Sequence, residues 1–171
     1  MPWFLDIEAS SLSPRSYPVE IAWGDSESGE VEAHLINPGR VAFWLDWDPA
    51  SESVHGLSRP YLRRNGEEPL TVAHRANQAL YGRTVHATSP RDRDWVDTLF
   101  AAVGVNRLFQ VGDAEEVLPA AGESRYWAYR ESWRRLESQG LQRHRAGADV
   151  RQLVEMYRLL AGEADPDPDP L

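Results

Sequence analysis

Asp6 and Glu8 sit two residues apart inside the otherwise apolar run Trp3-Phe4-Leu5-Asp6-Ile7-Glu8-Ala9. Strand side chains alternate faces, so residues i and i+2 point the same way. As a strand, this segment aims two negative charges at one spot. Like charges gathered away from water are costly unless a cation lies between them, and a divalent metal meets that need. Toward the other end, His144 and Asp149 add a histidine and a third carboxylate five residues apart. Spacing alone therefore points to a carboxylate–metal site.

The elements that must bring these residues together can be read from periodicity and turn signals. Residues 2–9, 19–23 and 30–36 read as three strands, the last two joined by the turn Asp25-Ser26-Glu27-Ser28-Gly29. Asn37-Pro38-Gly39 stops the third. Asp48-Pro49 opens a short helix through Val54, Ser58-Arg59-Pro60 a second that stops at Asn65-Gly66, and residues 69–80 a third. Residues 84–88 read as a fourth strand. Ser89-Pro90 then opens a helix with Trp95, Leu99, Phe100 and Val103 at helical spacing before Gly104. A fifth strand is expected over 108–111, and two more helices over 124–136 and 146–160. Trp44, Trp47 and Trp95 read as core, and Trp127, Tyr129 and Trp133 as a packing helix face. No internal repeat is present.

A chain of 171 residues with 42% hydrophobic content suits one domain with a real core. That domain is expected over 1–162, followed by a disordered acidic Asp-Pro tail over 163–171. There are no cysteines, which excludes disulfides and thiolate metal sites and fits a reducing, cytoplasmic setting. The N-terminus lacks the pattern of a signal peptide. No apolar stretch approaches the roughly 20 residues that span a bilayer, so no membrane partner is expected. The net charge of −9 argues against a basic nucleic-acid coat protein. Four acids of that excess lie in the tail and four more in the metal site, which weakens the argument. All 18 basic residues are arginine. Arginine suits bidentate phosphate contact, although a GC-rich coding genome explains the bias equally well.

From Phe4 to about Leu160, the chain resembles the DnaQ-like, or DEDDh, family of 3′–5′ exonucleases. The motifs that carry the resemblance are Asp6-Ile7-Glu8, then Val19-Glu20-Ile21-Ala22, then Val54-His55-Gly56-Leu57, and finally His144, Ala146 and Asp149 in the pattern His-x-Ala-x-x-Asp. The family's second acidic motif falls at the start of the helix after the fourth strand. There Asp92, three residues before Trp95, is favoured, with Asp94 as the alternative. A look-alike stretch, Val72-Ala73-His74-Arg75-Ala76, lies before the fourth strand and lacks the acid five residues on, so His74 reads as helix surface.

The resemblance implies an α/β, RNase H-like fold with a mixed five-stranded sheet flanked by helices. It implies two Mg²⁺ or Mn²⁺ ions about 3.5–4 Å apart, held by oxygen ligands as hard cations prefer. Asp6 would bridge both ions, Glu8 and Asp92 would hold the ion on the leaving-group side, and Asp149 would anchor the ion at the attacking water. His144 would take that water's proton, work suited to a side chain that titrates close to neutral pH. The implied substrate is the 3′ end of single-stranded RNA or DNA, and the product a nucleoside 5′-monophosphate. Stand-alone members of similar length are homodimers, which allows a homodimer here.

Each residue also has a simpler reading. Asp-x-Glu pairs on strands are commonly solvated. His144 sits in an arginine-rich stretch and could be plain surface. Asp92 could stabilise a helix dipole, and Asp149 could pair with Arg145 four residues earlier. His55 could be a helix-end histidine before the Gly56 cap. Two rival functions stay open: a catalytically inactive nuclease-fold nucleic-acid-binding or adaptor protein, and a metal-dependent hydrolase of another phosphate ester. RNA and DNA are not distinguished.

Overall fold

The computed structural model describes residues 1–118 and 122–162. The tail expected over 163–171 lies outside the described residues. The strands are β1 (Trp3–Ala9), β2 (Pro18–Asp25), β3 (Val31–Leu35), β4 (Thr84–Ala87) and β5 (Gln110–Asp113). The helices are α1 (Pro49–His55), α2 (Arg59–Asn65), α3 (Pro69–Leu80), α4 (Pro90–Val103), α5 (Glu123–Ser138) and α6 (Ala146–Ala161). One mixed sheet runs in the order β3-β2-β1-β4-β5. β1 pairs antiparallel with β2 and parallel with β4, and so occupies the centre.

Local chemistry explains the helix starts. Proline stands in the first turn of α1, α2, α3 and α4, where its missing N–H costs nothing. Asp48, Ser58 and Ser89 cap the first, second and fourth of these by accepting backbone N–H bonds. α1 and α4 stop at Gly56 (φ 72°) and Gly104 (φ 67°), which take the left-handed conformation a helix end requires.

Alternation along β1 sorts its side chains between two layers. Leu5, Ile7 and Ala9 join the larger core with Ile21, Trp23 and residues of α3 and α4. Phe4 joins a smaller core with Ala22, Val150, Leu153 and Val154. Asp6 and Glu8 share the Phe4 face, so the strand directs both acids toward α6.

Two expectations need correction. The fifth strand lies at Gln110–Asp113 and not at 108–111. The Leu108 backbone is already engaged: its N–H donates to Asn77 Oδ1 (2.8 Å) and its carbonyl accepts from Gly82 N–H (2.9 Å). Pairing with β4 therefore starts two residues later and runs on to Asp113. The expected packing face of α5 is only partly packed. Trp133 is 3% exposed, whereas Trp127 is 55% exposed and Tyr129 is 40% exposed. Trp44 and Trp95 are buried as expected, His74 is on the surface, and His55 is a buried helix-end residue whose Nδ1 accepts from Leu57 N–H.

α6 approaches the sheet closely enough that β2 needs a glycine. A Cβ on Gly24 would lie 2.8 Å from both Val150 Cγ1 and Val31 Cγ2. Gly24→Ala is therefore expected to destabilise the fold by about 1–3 kcal/mol through overpacking. In urea titration the midpoint should fall with an unchanged slope.

Candidate active site

The site lies at the C-terminal end of β1, where three chain segments converge. Carboxylate oxygens of Asp6, Glu8 and Asp149 all lie within 4.8 Å of one another. Asp6 and Glu8 arrive from β1 opposite Ala22 and Glu20 of β2, and a register shift between Glu8 and Ala9 ends the regular pairing. Bulges of this kind commonly re-aim side chains beside active sites. Asp149 arrives from the first turn of α6. Asp92, in the first turn of α4, is 2% exposed, and its charge is the one that acts most strongly on Asp6. The Ser89 backbone N–H engages the Asp92 carboxylate, yet Asp92 Oδ2 has no hydrogen-bond partner. Asp94 is exposed on the opposite side of the same turn, in a groove with Leu12 and Arg91.

His144 precedes α6 and has φ 61°, the one positive value at a non-glycine among the described residues. Such strain persists only where surrounding contacts enforce it. The two residues that follow His144 are held by Glu20, whose carboxylate is buried on β2. Its oxygens accept from Arg145 Nε (3.0 Å) and Nη2 (2.8 Å) and from the Ala146 N–H (3.0 Å). Arg145 offers no side-chain cap to α6, so a carboxylate from a distant strand caps that helix. Arg145 thus pairs with Glu20, which replaces the simpler reading of an Arg145–Asp149 pair. Neither Glu20 nor Arg145 stood out in the sequence as a positioning residue. The available signal was a single acid inside the apolar run 19–23.

Crowding shows in the acids' proton affinities. Burial, then the charges of Asp92 and Asp149, holds the Asp6 carboxyl well above the usual range. Burial, then Asp149, pushes Glu8 up to about 8. Burial raises Asp92 to about 7 and Asp149 to about 6, the latter despite opposing contributions from His144 and Arg145. A cluster of oxygen donors that repel one another, with one buried oxygen lacking a partner, fits a hard divalent cation. Beside it runs a cleft of about 410 Å³ whose walls include Thr88, Tyr129, Trp133, Arg143 and His144.

No family model and no curated protein matches the chain. Solved structures do. The zinc-bound form of the E. coli exonuclease I complex with single-stranded DNA is 18% identical with a TM-score of 0.66, covering 95% of this chain and 40% of that one. E. coli exonuclease I with a dA16 oligonucleotide is 19% identical with a TM-score of 0.65, covering 95% and 41%. A product-bound exonuclease I is 18% identical with a TM-score of 0.64, covering 94% and 43%. The chain has the RNase H-like fold of exonuclease I. It spans about 40% of the length of these exonuclease I chains. Within the RNase H-like fold, the acids stand at the strand ends where open α/β sheets commonly place their ligands. No helix among the described residues is long and apolar enough to cross a membrane.

The raised carboxyls set a pH dependence with a definite sign. An acid whose folded-state pKa exceeds its unfolded value of about 4 binds its proton more tightly in the native protein. Its stabilisation is complete below about pH 4 and is lost as pH rises through the folded values, about 6 for Asp149 to about 8 for Glu8. In metal-free buffer, Tm should fall by on the order of 5 °C between pH 5 and pH 8. Asp6→Asn should lessen that fall, and Mg²⁺ or Mn²⁺ should reverse it for the wild-type protein at pH 8. A flat, metal-insensitive profile would contradict the assigned repulsion.

Proposed function

We propose that this chain is a metal-dependent 3′–5′ exonuclease that hydrolyses single-stranded nucleic acid ends and releases nucleoside 5′-monophosphates. The observation that carries the reading is the meeting of Asp6, Glu8 and Asp149 within 4.8 Å, with Asp92 beside Asp6 and His144 on the same cleft. Asp6, Glu8, Asp92 and Asp149 are the residues that would hold two Mg²⁺ or Mn²⁺ ions. When bound, such ions supply a water acidic enough to attack at neutral pH and a counter-charge for the leaving oxygen.

The chain's own groups do the rest. His144 accepts the proton of the attacking water, whose oxygen bonds to phosphorus while the bond to the 3′-oxygen of the shortened strand breaks. That oxygen leaves as a 3′-hydroxyl after taking a proton from solvent. The Glu20–Arg145 clamp keeps His144 and Asp149 in register with β1. Tyr129 and Trp133 line one wall of the cleft and Arg143 offers a guanidinium to phosphate. The complexes of exonuclease I with single-stranded DNA, with dA16 and with product support a single-stranded substrate. A cytoplasmic setting, suited to a cysteine-free chain, and a homodimer belong to the same proposal.

A 5′-labelled oligonucleotide incubated with Mg²⁺ or Mn²⁺ should give a ladder shortening from the 3′ end. Asp6→Ala and Asp149→Ala should abolish it. His144→Ala should slow turnover by about a hundredfold while leaving metal binding intact. Binding without any ladder would indicate a nuclease-fold adaptor. Cleavage of a small phosphodiester alone would indicate a hydrolase of another ester.

A further inference from the structure

α5 carries aromatic side chains that the core does not use. Tyr126 and Trp127 are 63% and 55% exposed. They line a groove of about 620 Å³ together with Arg130, Trp133, Arg143 and the acids Glu131 and Glu137. Trp133 and Arg143 also line the cleft that holds Asp6, His144 and Asp149, so the two concavities share a wall. Guanidinium groups lie against the rings: Arg130 is 5.7 Å from the Tyr126 centroid, and Arg143 is 4.8 Å from that of Trp133. Residues 125–151 contain seven arginines against three acids, in a chain whose net charge is −9. On the groove, Glu131 pairs with Arg134 and Arg135, and Glu137 with Arg143.

We propose that this face of α5 is a track for the nucleotides upstream of the 3′ end, with bases stacking on Trp127 and Tyr126 and phosphates meeting Arg130. The inference deepens the exonuclease reading and rests on it for the direction of the strand. Its chemistry is that of sequence-tolerant single-strand binding. Every base has a face that stacks on an aromatic ring, and arginine adds phosphate contact and cation–π attraction. A protein partner would be expected to cover the rings with apolar side chains, whereas here they stand among charged groups, two of the rings against guanidinium groups, and share a wall with the cleft beside the acid cluster. The track predicts that affinity grows with strand length, because nucleotides beyond the active-site cleft gain contacts on α5.

The test is the affinity of 5′-fluorescein oligothymidylates of three and nine nucleotides, read by anisotropy with Mg²⁺. All proteins carry Asp6→Asn so that the strand stays intact. The parent should bind the nonamer at least tenfold more tightly than the trimer. Trp127→Ala should reduce that ratio to about twofold or less, consistent with the loss of one stacked base. Arg130→Gln should lower the slope of log affinity against log salt by about 0.7, one phosphate contact on a single strand. Tyr81→Ala, which removes a still more exposed aromatic outside the groove lining, should leave the ratio unchanged. Trp127 is half exposed, so its variant should fold, and an unchanged Tm checks this.

An undiminished ratio in Trp127→Ala overturns the track and leaves the exonuclease reading to the ladder assay. So does a parent that binds both lengths equally or not at all. If Trp127→Ala turns a sedimenting dimer into a monomer without altering strand affinity, a second copy of the chain occupies the face and the track is overturned. A Trp127-dependent ratio in a protein whose wild type yields no ladder supports the track and removes hydrolysis.

Discussion

Repulsion among four carboxylates is the constraint on which the rest of this molecule depends. Three of them touch a common space at the end of the central strand, and the fourth is buried beside Asp6. Folding without a cation keeps some of them protonated, because removing charge is easier than holding like charges together in a poorly solvated pocket. A divalent ion reverses that preference by making the ionised form the favourable one. The same arrangement that strains the empty fold therefore supplies affinity for metal, and metal binding becomes part of folding free energy.

Holding such a cluster requires rigid supports, and each acid has its own. Asp6 and Glu8 ride on β1, where both are paired with β2. Asp92 is fixed by helix-cap hydrogen bonds at the start of α4. Asp149 depends on α6, which lacks a cap of its own and is tied to β2 by the buried Glu20 carboxylate. A buried acid stripped of its partner costs about 3–5 kcal/mol, so the Glu20–Arg145 pair specifies the position of α6 strongly even where its net contribution to stability is small. His144, with its positive φ, immediately precedes the arginine that this tie holds.

Much of this was legible in the sequence, for identifiable reasons. The helix starts carry proline and capping side chains, and the strand alternation puts Asp6 and Glu8 on one face whatever the fold. Short-range chemistry writes those features directly. The register of β5 was not legible, because tertiary bonds from Asn77 and Gly82 remove Leu108 from the ladder. The pairing of Glu20 with Arg145 joins residues 125 positions apart, and periodicity holds no information about it. Spacing to Trp95 favoured Asp92 over Asp94, and burial separates the two. Trp127 and Tyr129 look like packing residues at helical spacing, but the small core beneath α5 is filled by Ala128, Trp133 and Leu136, which leaves their rings outside.

Metal-dependent hydrolysis by this chain requires divalent ions resting on Asp6 and its neighbours. Anomalous diffraction from crystals grown with Mn²⁺ tests this directly. The expected result is a peak within coordination distance of Asp6, shared with Glu8, Asp92 or Asp149 and absent in Asp6→Asn crystals. Peaks only at sites away from Asp6, or none at saturating Mn²⁺, would contradict the account.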